Sequence, residues 1–382
     1  MTSTPISDRV EKMLDDRRYG GLLRSVAPFS LSGDRIDCST NSYLGLHDNI
    51  AVAEETVRLS GAQTGGNLAS RLVATTSSLY SELEQEIAGW EQTASALVFT
   101  SGYAANLGII QALCTRSTEV FGDRLNHASV YDGVQLSGCR FSRYRHCDMT
   151  DLARRLAASD TPEKLIITDT VFSMDGDRAP LQDIAELALR HHAMVMVDEA
   201  HATGIFGSNG SGLVEETGTA DAVAVRMGTL SKAIAGLGGY VAASSRLRDY
   251  FVNFSRSLVY STGLPHAVLA HNLAAIRHIR SHPGIGKTVL ENAALLRTEL
   301  ATAGFDTAPS TTQIIPCYCK NERNAESLAA FLSDRGIIAP AIRPPTVPKG
   351  TARIRFSWSA QHTDDDRRHI VACLKEWKSS HA

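Results

Sequence analysis

An amine, a carboxylate and an imidazole recur within a short stretch of this chain, in a pattern suited to holding a pyridine aldehyde. The run Met227–Gly239 (MGTLSKAIAGLGG) presents Lys232 among small residues, and Val195–Gly204 (VMVDEAHATG) ends an apolar stretch on Asp198 and His201. A carboxylate keeps a ring nitrogen protonated, an imidazole can bond a phenolic oxygen, and an unprotonated lysine condenses with an aldehyde. Pyridoxal 5'-phosphate (PLP) makes those three demands. The residues therefore predict a PLP enzyme, with Lys232 as the covalent and catalytic lysine and Asp198 under the ring nitrogen. A lone lysine is more often a solvated surface residue. Here Thr229, Ser231 and several glycines surround it, and small neighbours are what close backbone approach to a cofactor requires. Thr229 is placed to give a hydroxyl to the phosphate.

Other segments offer the remaining contacts. SGYAANLG (Ser101–Gly108) follows an apolar run and opens a helical pattern, so its N–H groups make an anion site that Gly102 leaves open, with Tyr103 beside it. The same signature also serves as an ordinary helix cap. DRLNHAS (Asp123–Ser129) supplies His127, either a satisfied structural histidine or an imidazole stacked on the cofactor and able to move protons. VFSMDGD (Val171–Asp177) offers Ser173 as a further cofactor contact, its MDGD portion reading equally as a turn. RPPTVPKGTARIR (Arg343–Arg355) holds arginines on a proline-stiffened loop entering a strand, where a guanidinium could grip a carboxylate. Arg353 and Arg355 lie two apart and so share a face. The DEAH run has a second reading, a helicase box, which needs an upstream GxxxxGK[ST] loop. The only GKT, Gly286–Thr288, lies downstream and has Ser281 where the first glycine belongs, so the helicase reading fails.

These residues need a scaffold that brings strand ends together. Short apolar runs at Ala96–Phe99, Glu119–Phe121, Leu165–Thr168, Met194–Val197, Ala222–Met227 and Gly239–Ala243 alternate with helix-length segments. That alternation predicts an α/β fold with a mostly parallel central sheet and helices on both faces, whose site lies past the carboxyl ends of the strands. A charged helix is expected over Ser7–Leu23 and a long helical region over Pro265–Ala303. Strand-like QIIPCYC and ARIRFSWS predict a smaller α+β domain at the C-terminus. The expected division is residues 1–40, an N-terminal helical segment; 41–275, the large cofactor-binding domain; and 276–382, the small domain.

Composition excludes other classes. With 43% hydrophobic and 21% charged residues, the 382-residue chain can bury a large core. A formal net charge of −3 with mixed signs leaves no basic footprint for nucleic acid or an anionic membrane. No apolar stretch approaches the ~18 residues of a spanning helix. The charged start is unlike a secretion signal, which predicts a cytoplasmic protein. Seven scattered cysteines, with a lone C-x-C at Cys317 and Cys319 and no His/Cys cluster beside it, predict reduced thiols and no metal.

From about Arg17 to His362 the chain resembles the α-oxoamine synthases, a family of fold-type I PLP enzymes. The resemblance is carried, in the family's order, by TNSYLGL, SGYAAN, DRLNHAS, VFSMDGD, VDEAHATG, GTLSKA, YSTGLP and RPPTVPKGTARIR. It implies decarboxylative joining of an amino acid to an acyl thioester carried on coenzyme A or an acyl carrier protein. The loop AIRPPTVPKGTARIR and the N-terminal LDDRRYGGLLR are most similar to the branch that uses L-alanine and a pimeloyl thioester. The resemblance further implies that Arg24, Asn41, His127, Thr346 and Arg355 bind substrate, with Arg355 on the carboxylate. It implies a homodimer with a shared active site, in which Thr262 reaches the phosphate of the neighbouring subunit's cofactor. Two departures, Tyr80 where a histidine is common and Ser42 where an aspartate is usual, put acyl-chain selectivity in question. Rivals within the family use glycine or serine, and an aminotransferase of the same fold would need no thioester channel.

Overall fold

Every apolar run at Ala96–Ala243 named above overlaps a strand of one seven-stranded sheet in the computed structural model, which describes residues 4–20, 22–23, 35–62, 65–73 and 77–380. Its strands are β1 (Ser95–Phe99), β2 (Glu119–Asp123), β3 (Arg140–Tyr144), β4 (Lys164–Asp169), β5 (Met194–Asp198), β6 (Val225–Thr229) and β7 (Gly239–Ala243). Their order is β1-β7-β6-β5-β4-β2-β3, with β7 antiparallel to both neighbours and every other pair parallel.

Alternation along the strands feeds two cores. Leu97, Val120, Ile167, Met196 and Val241 pack with Ile109 and Val130, from the helices Gly102–Leu113 and Ala128–Ser137. Val98, Phe121, Ile166, Val197 and Tyr240 pack with Ile87, Ile184 and Leu273, from the helices Ser78–Trp90, Leu181–His191 and His266–Ser281. A strand buried on both faces is apolar throughout, which is why these runs stand out in the sequence. Each fully buried Leu, Ile or Val stabilises the sheet by about 1.5–3 kcal/mol.

Four features differ from the sequence reading. Edge strand β3 (RFSRY) shows no apolar run because Arg140 and Arg143 are exposed there. The stretch expected to begin a strand at Ala222 instead closes a 3-10 turn, Ala220–Ala222, and pairing starts at Val225. The long helical region is two helices, His266–Ser281 and Ile285–Thr302, parted by Pro283 and by Gly284 at φ 92°. The N-terminal helix spans Pro5–Tyr19, capped by Thr4, rather than Ser7–Leu23.

The C-terminal strands β8 (Ile314–Tyr318), β9 (Ala341–Ile342) and β10 (Arg353–Ser357) form an antiparallel sheet in the order β9-β10-β8. Ile36–Asp37 pairs in parallel with Ile337–Ile338, and Ser357 N–H donates to the Cys38 carbonyl at 2.9 Å. Those bonds set the segment holding Asn41 and Tyr43 beside β10. All seven cysteines are free, Cys317 and Cys319 among the buried ones. No helix among the described residues is long and apolar enough to cross a membrane.

Candidate active site

Strands β1, β2, β4, β5 and β6 run the same way, so their carboxyl ends open on one edge of the sheet. The segments that follow enclose a cavity of about 240 Å³ lined by Gly102, Tyr103, His127, Asp198, His201, Thr229 and Lys232. All seven were expected from sequence at this site. Asn106, Ser129, Asp169, Met227 and Ser231 also line it and were not singled out. The signal for Asn106 and Ser129 was present, since both are polar residues inside quoted motifs and both are buried.

Asp198, only 4% exposed, is held at both oxygens: Ala200 N–H donates to Oδ1 at 2.9 Å and Asn106 Nδ2 to Oδ2 at 2.8 Å. Asn106 Nδ2 also donates to Ser129 Oγ, which lies 2.7 Å from His127 Nδ1. The carboxylate and the imidazole are thus fixed by one polar network rather than by separate anchors. Burial lowers the His127 pKa, keeping the ring neutral. Tyr103 meets His127 edge-on, centroids 6.3 Å apart, and its hydroxyl donates to Asp132.

Lys232 Nζ lies 2.9 Å from His201 Nε2, and His201 Nδ1 lies 2.7 Å from the Tyr43 hydroxyl. Asn41 Oδ1 accepts from Tyr43 at 3.0 Å and from Arg355 Nη2 at 3.1 Å. Arg355 is held further by the Ser173 carbonyl on Nε and by Ser357 Oγ on Nη1. A continuous polar chain therefore links the amine to the guanidinium. Burial takes Lys232 down to about 8 from the usual lysine range, against the opposing pull of Asp198 and Asp169. His201 falls well below its ordinary value for the same reason, helped by the Lys232 and Arg355 charges. A depressed pKa means the nucleophilic free amine appears as pH climbs through about 8 rather than two units higher. The rate of aldehyde capture by the apoprotein should therefore rise with pH with a midpoint near 8, as followed by stopped-flow absorbance. A midpoint near the ordinary lysine value would contradict the buried environment.

Not every expected residue converges on this cavity. Ser173 and Thr346 line a second, larger cavity of about 990 Å³, together with Arg124, Arg143, Pro348 and Arg353. Ser173 enters the polar chain through its carbonyl, not its hydroxyl. Arg353 is committed elsewhere, 2.5 Å from Asp175 and 4.4 Å above the Tyr318 ring, which leaves Arg355 as the arginine of the pair facing Asn41. Thr262 bridges to Ser70 and lines a separate small cavity with Arg71 and Tyr80. Tyr80, at the histidine-like position, is buried there under the Arg71 guanidinium, 3.8 Å from the ring centre, and Leu264 N–H donates to its hydroxyl. Ser42 instead bonds His47 Nδ1 at 2.7 Å. Arg24 lies outside the described residues.

The donor set fits PLP. Ser101 caps the helix Gly102–Leu113 by taking the Ala104 N–H on its hydroxyl, leaving the first N–H groups for an anion. A Cβ at Gly102 would meet the Thr229 side chain at 3.4 Å and fill the gap between that hydroxyl and the helix start. A helix start, a buried carboxylate and a low-pKa amine thus share one small cavity.

The chain is similar to known proteins over nearly its whole length. Residues 34–374 match the family model for aminotransferase class I and II. The chain is 42% identical to 8-amino-7-oxononanoate synthase of Trichlorobacter lovleyi, covering 97% of this chain and 96% of that one. It is 44% identical to the Geobacter sulfurreducens protein of that name, covering 94% and 95%. Among solved structures, Sphingomonas wittichii serine palmitoyltransferase superposes at a TM-score of 0.92 with 28% identity, covering 99% of each chain. An 8-amino-7-oxononanoate synthase from Francisella tularensis superposes at 0.78 with 24% identity, covering 91% and 99%, and shares the fold.

Proposed function

The chain belongs to the aminotransferase class I and II family, and from its relatives of 42–44% identity we propose that it is a PLP-dependent acyltransferase. The reaction we assign joins L-alanine to a pimeloyl thioester, with loss of carbon dioxide and the thiol carrier, giving 8-amino-7-oxononanoate. The observation that carries the PLP chemistry is the buried Lys232 amine, bonded to His201 in a cavity that also holds Asp198. The choice of substrates draws its support from relatives of 42–44% identity over nearly the whole chain.

When bound, PLP supplies an aldehyde for amine capture and a protonated ring that withdraws electrons from the amino acid's Cα. Asp198 would hold the ring-nitrogen proton with lone pairs that Ala200 and Asn106 leave free. The Gly102 helix start and the Thr229 hydroxyl would hold the phosphate. Lys232 Nζ would take the amino acid's α-proton, a task its low pKa suits. His127, which lines the cavity, would shield one face of the ring and assist proton transfer. Arg355 has five N–H groups, and its Ser173, Ser357, Asn41 and Tyr43 bonds leave one donor for the substrate carboxylate. Thr346, in the larger cavity, meets the acyl chain. The enzyme works as a cytoplasmic homodimer in which Thr262 reaches the partner's phosphate site.

A donor and acceptor panel tests the assignment. L-alanine with pimeloyl-CoA or a pimeloyl-carrier protein is expected to release thiol and carbon dioxide in equal amounts. Glycine in place of alanine should cost about 10–200-fold in kcat/KM, the range that one methyl group permits. Thiol release with only glycine or serine would move the protein to another branch, and amino transfer without thiol release would make it an aminotransferase.

A further inference from the structure

Asp169 ends β4 inside the cavity, yet no step above uses it. It pairs in register with Asp198 on β5, and Asp198 in turn with Met227 on β6. In-register residues of parallel strands share a face, so the two carboxyl groups enter the cavity side by side. They are 3% and 4% exposed. Their donors differ. Among the described residues, Asp198 receives one hydrogen bond on each oxygen, whereas Asp169 receives the His127 N–H alone, at 3.2 Å. Two neighbouring buried carboxyls cannot both ionise cheaply, and the proton stays with the one that has fewer donors to replace water. The charged groups facing Asp169 are Asp198 from β5, Asp123 from β2 and Lys232 from the loop after β6, while His127 meets it through its backbone. Burial, followed by the Asp198 charge, pushes Asp169 well above the ordinary carboxylate range.

We propose that Asp169 is a positioning residue kept as a neutral carboxylic acid, so that the Asp169–Asp198 pair carries one negative charge and that charge stays on Asp198. Both carboxylates, if ionised, would hold the proton on Lys232. A neutral Asp169 leaves enough negative charge for one ring-nitrogen proton and lets the amine lose its own. The catalytic meaning rests on the PLP reading, but the charge state belongs to the apoprotein and can be measured without cofactor.

Native isoelectric focusing of apoprotein tests it, because the chain focuses near its sequence pI of about 6.5, where the proposal puts the proton on Asp169. Asp169→Asn should focus with the unsubstituted protein, while Asp160→Asn, which removes an exposed carboxylate that Arg140 holds charged, moves to higher pH. Asp169→Asn moving as far as Asp160→Asn would overturn the proposal. The pH midpoint of PLP capture gives a second readout. It should be the same in Asp169→Asn as in the unsubstituted protein; a fall of about one pH unit or more would mean that a real negative charge had been removed. If the Asn variant does not fold, Asp169→Ser gives the same two comparisons. Failure of every form to take up PLP would sink the functional reading and leave the focusing result intact.

Discussion

Lys232→Ala is expected to leave a folded protein that binds PLP without the long-wavelength band of a protein Schiff base and that turns over at least about 10²–10⁴-fold more slowly. That factor is what loss of a positioned general base costs by itself, and the lost covalent anchor adds to it. The side chain sits in a finished pocket, bonded to His201, and truncating it removes a buried amine whose charged form is already disfavoured there. The fold should therefore survive, and far-UV circular dichroism checks that it does. Borohydride reduction followed by peptide mapping locates the modified residue in the unsubstituted protein. A pyridoxyl tag on any other side chain, or an undiminished visible band in the Ala variant, refutes the assignment.

Asp198→Asn should keep PLP bound but lower kcat by about 10²–10³-fold, the usual penalty for removing one preorganised electrostatic partner of a transition state. The amide has the same shape and its oxygen can still accept the Ala200 N–H or the Asn106 amide, though not both as now. It carries no charge to keep the ring nitrogen protonated, so the loss should appear in kcat with little change in KM for the amino acid. The absorbance of the bound cofactor should also become more sensitive to pH. Equal losses in Asp198→Asn and Asp169→Asn would mean that the two carboxyls act as one unit rather than in separate roles.

Much of the site was legible because strands buried on both faces announce themselves as apolar runs, and the residues just beyond them must face the strand ends. Gly102, His127, Asp198, His201, Thr229 and Lys232 were found that way and meet in one cavity. Tyr43 and His201 are 158 positions apart, and Asn41 and Arg355 are 314 apart. No local pattern pairs them, because they meet only through the Ile36–Asp37 bridge and the bonds that seat it beside β10. The edge strand β3 escaped for the opposite reason, since its partly exposed faces need no apolar run.

The amino-acid order alone determined which chemistry the chain could carry, by setting an amine, a carboxylate, an imidazole and a helix start each at the end of a buried strand. Tertiary structure decided which groups touch. Sheet register set Asp169 against Asp198, and packing turned Arg353 to Asp175 and left Arg355 for Asn41. It also put Ser173 and Thr346 in one cavity and Thr262 in another. Register and side-chain partners depend on contacts between segments far apart in sequence, and each is won by the arrangement that satisfies the most buried polar groups at once.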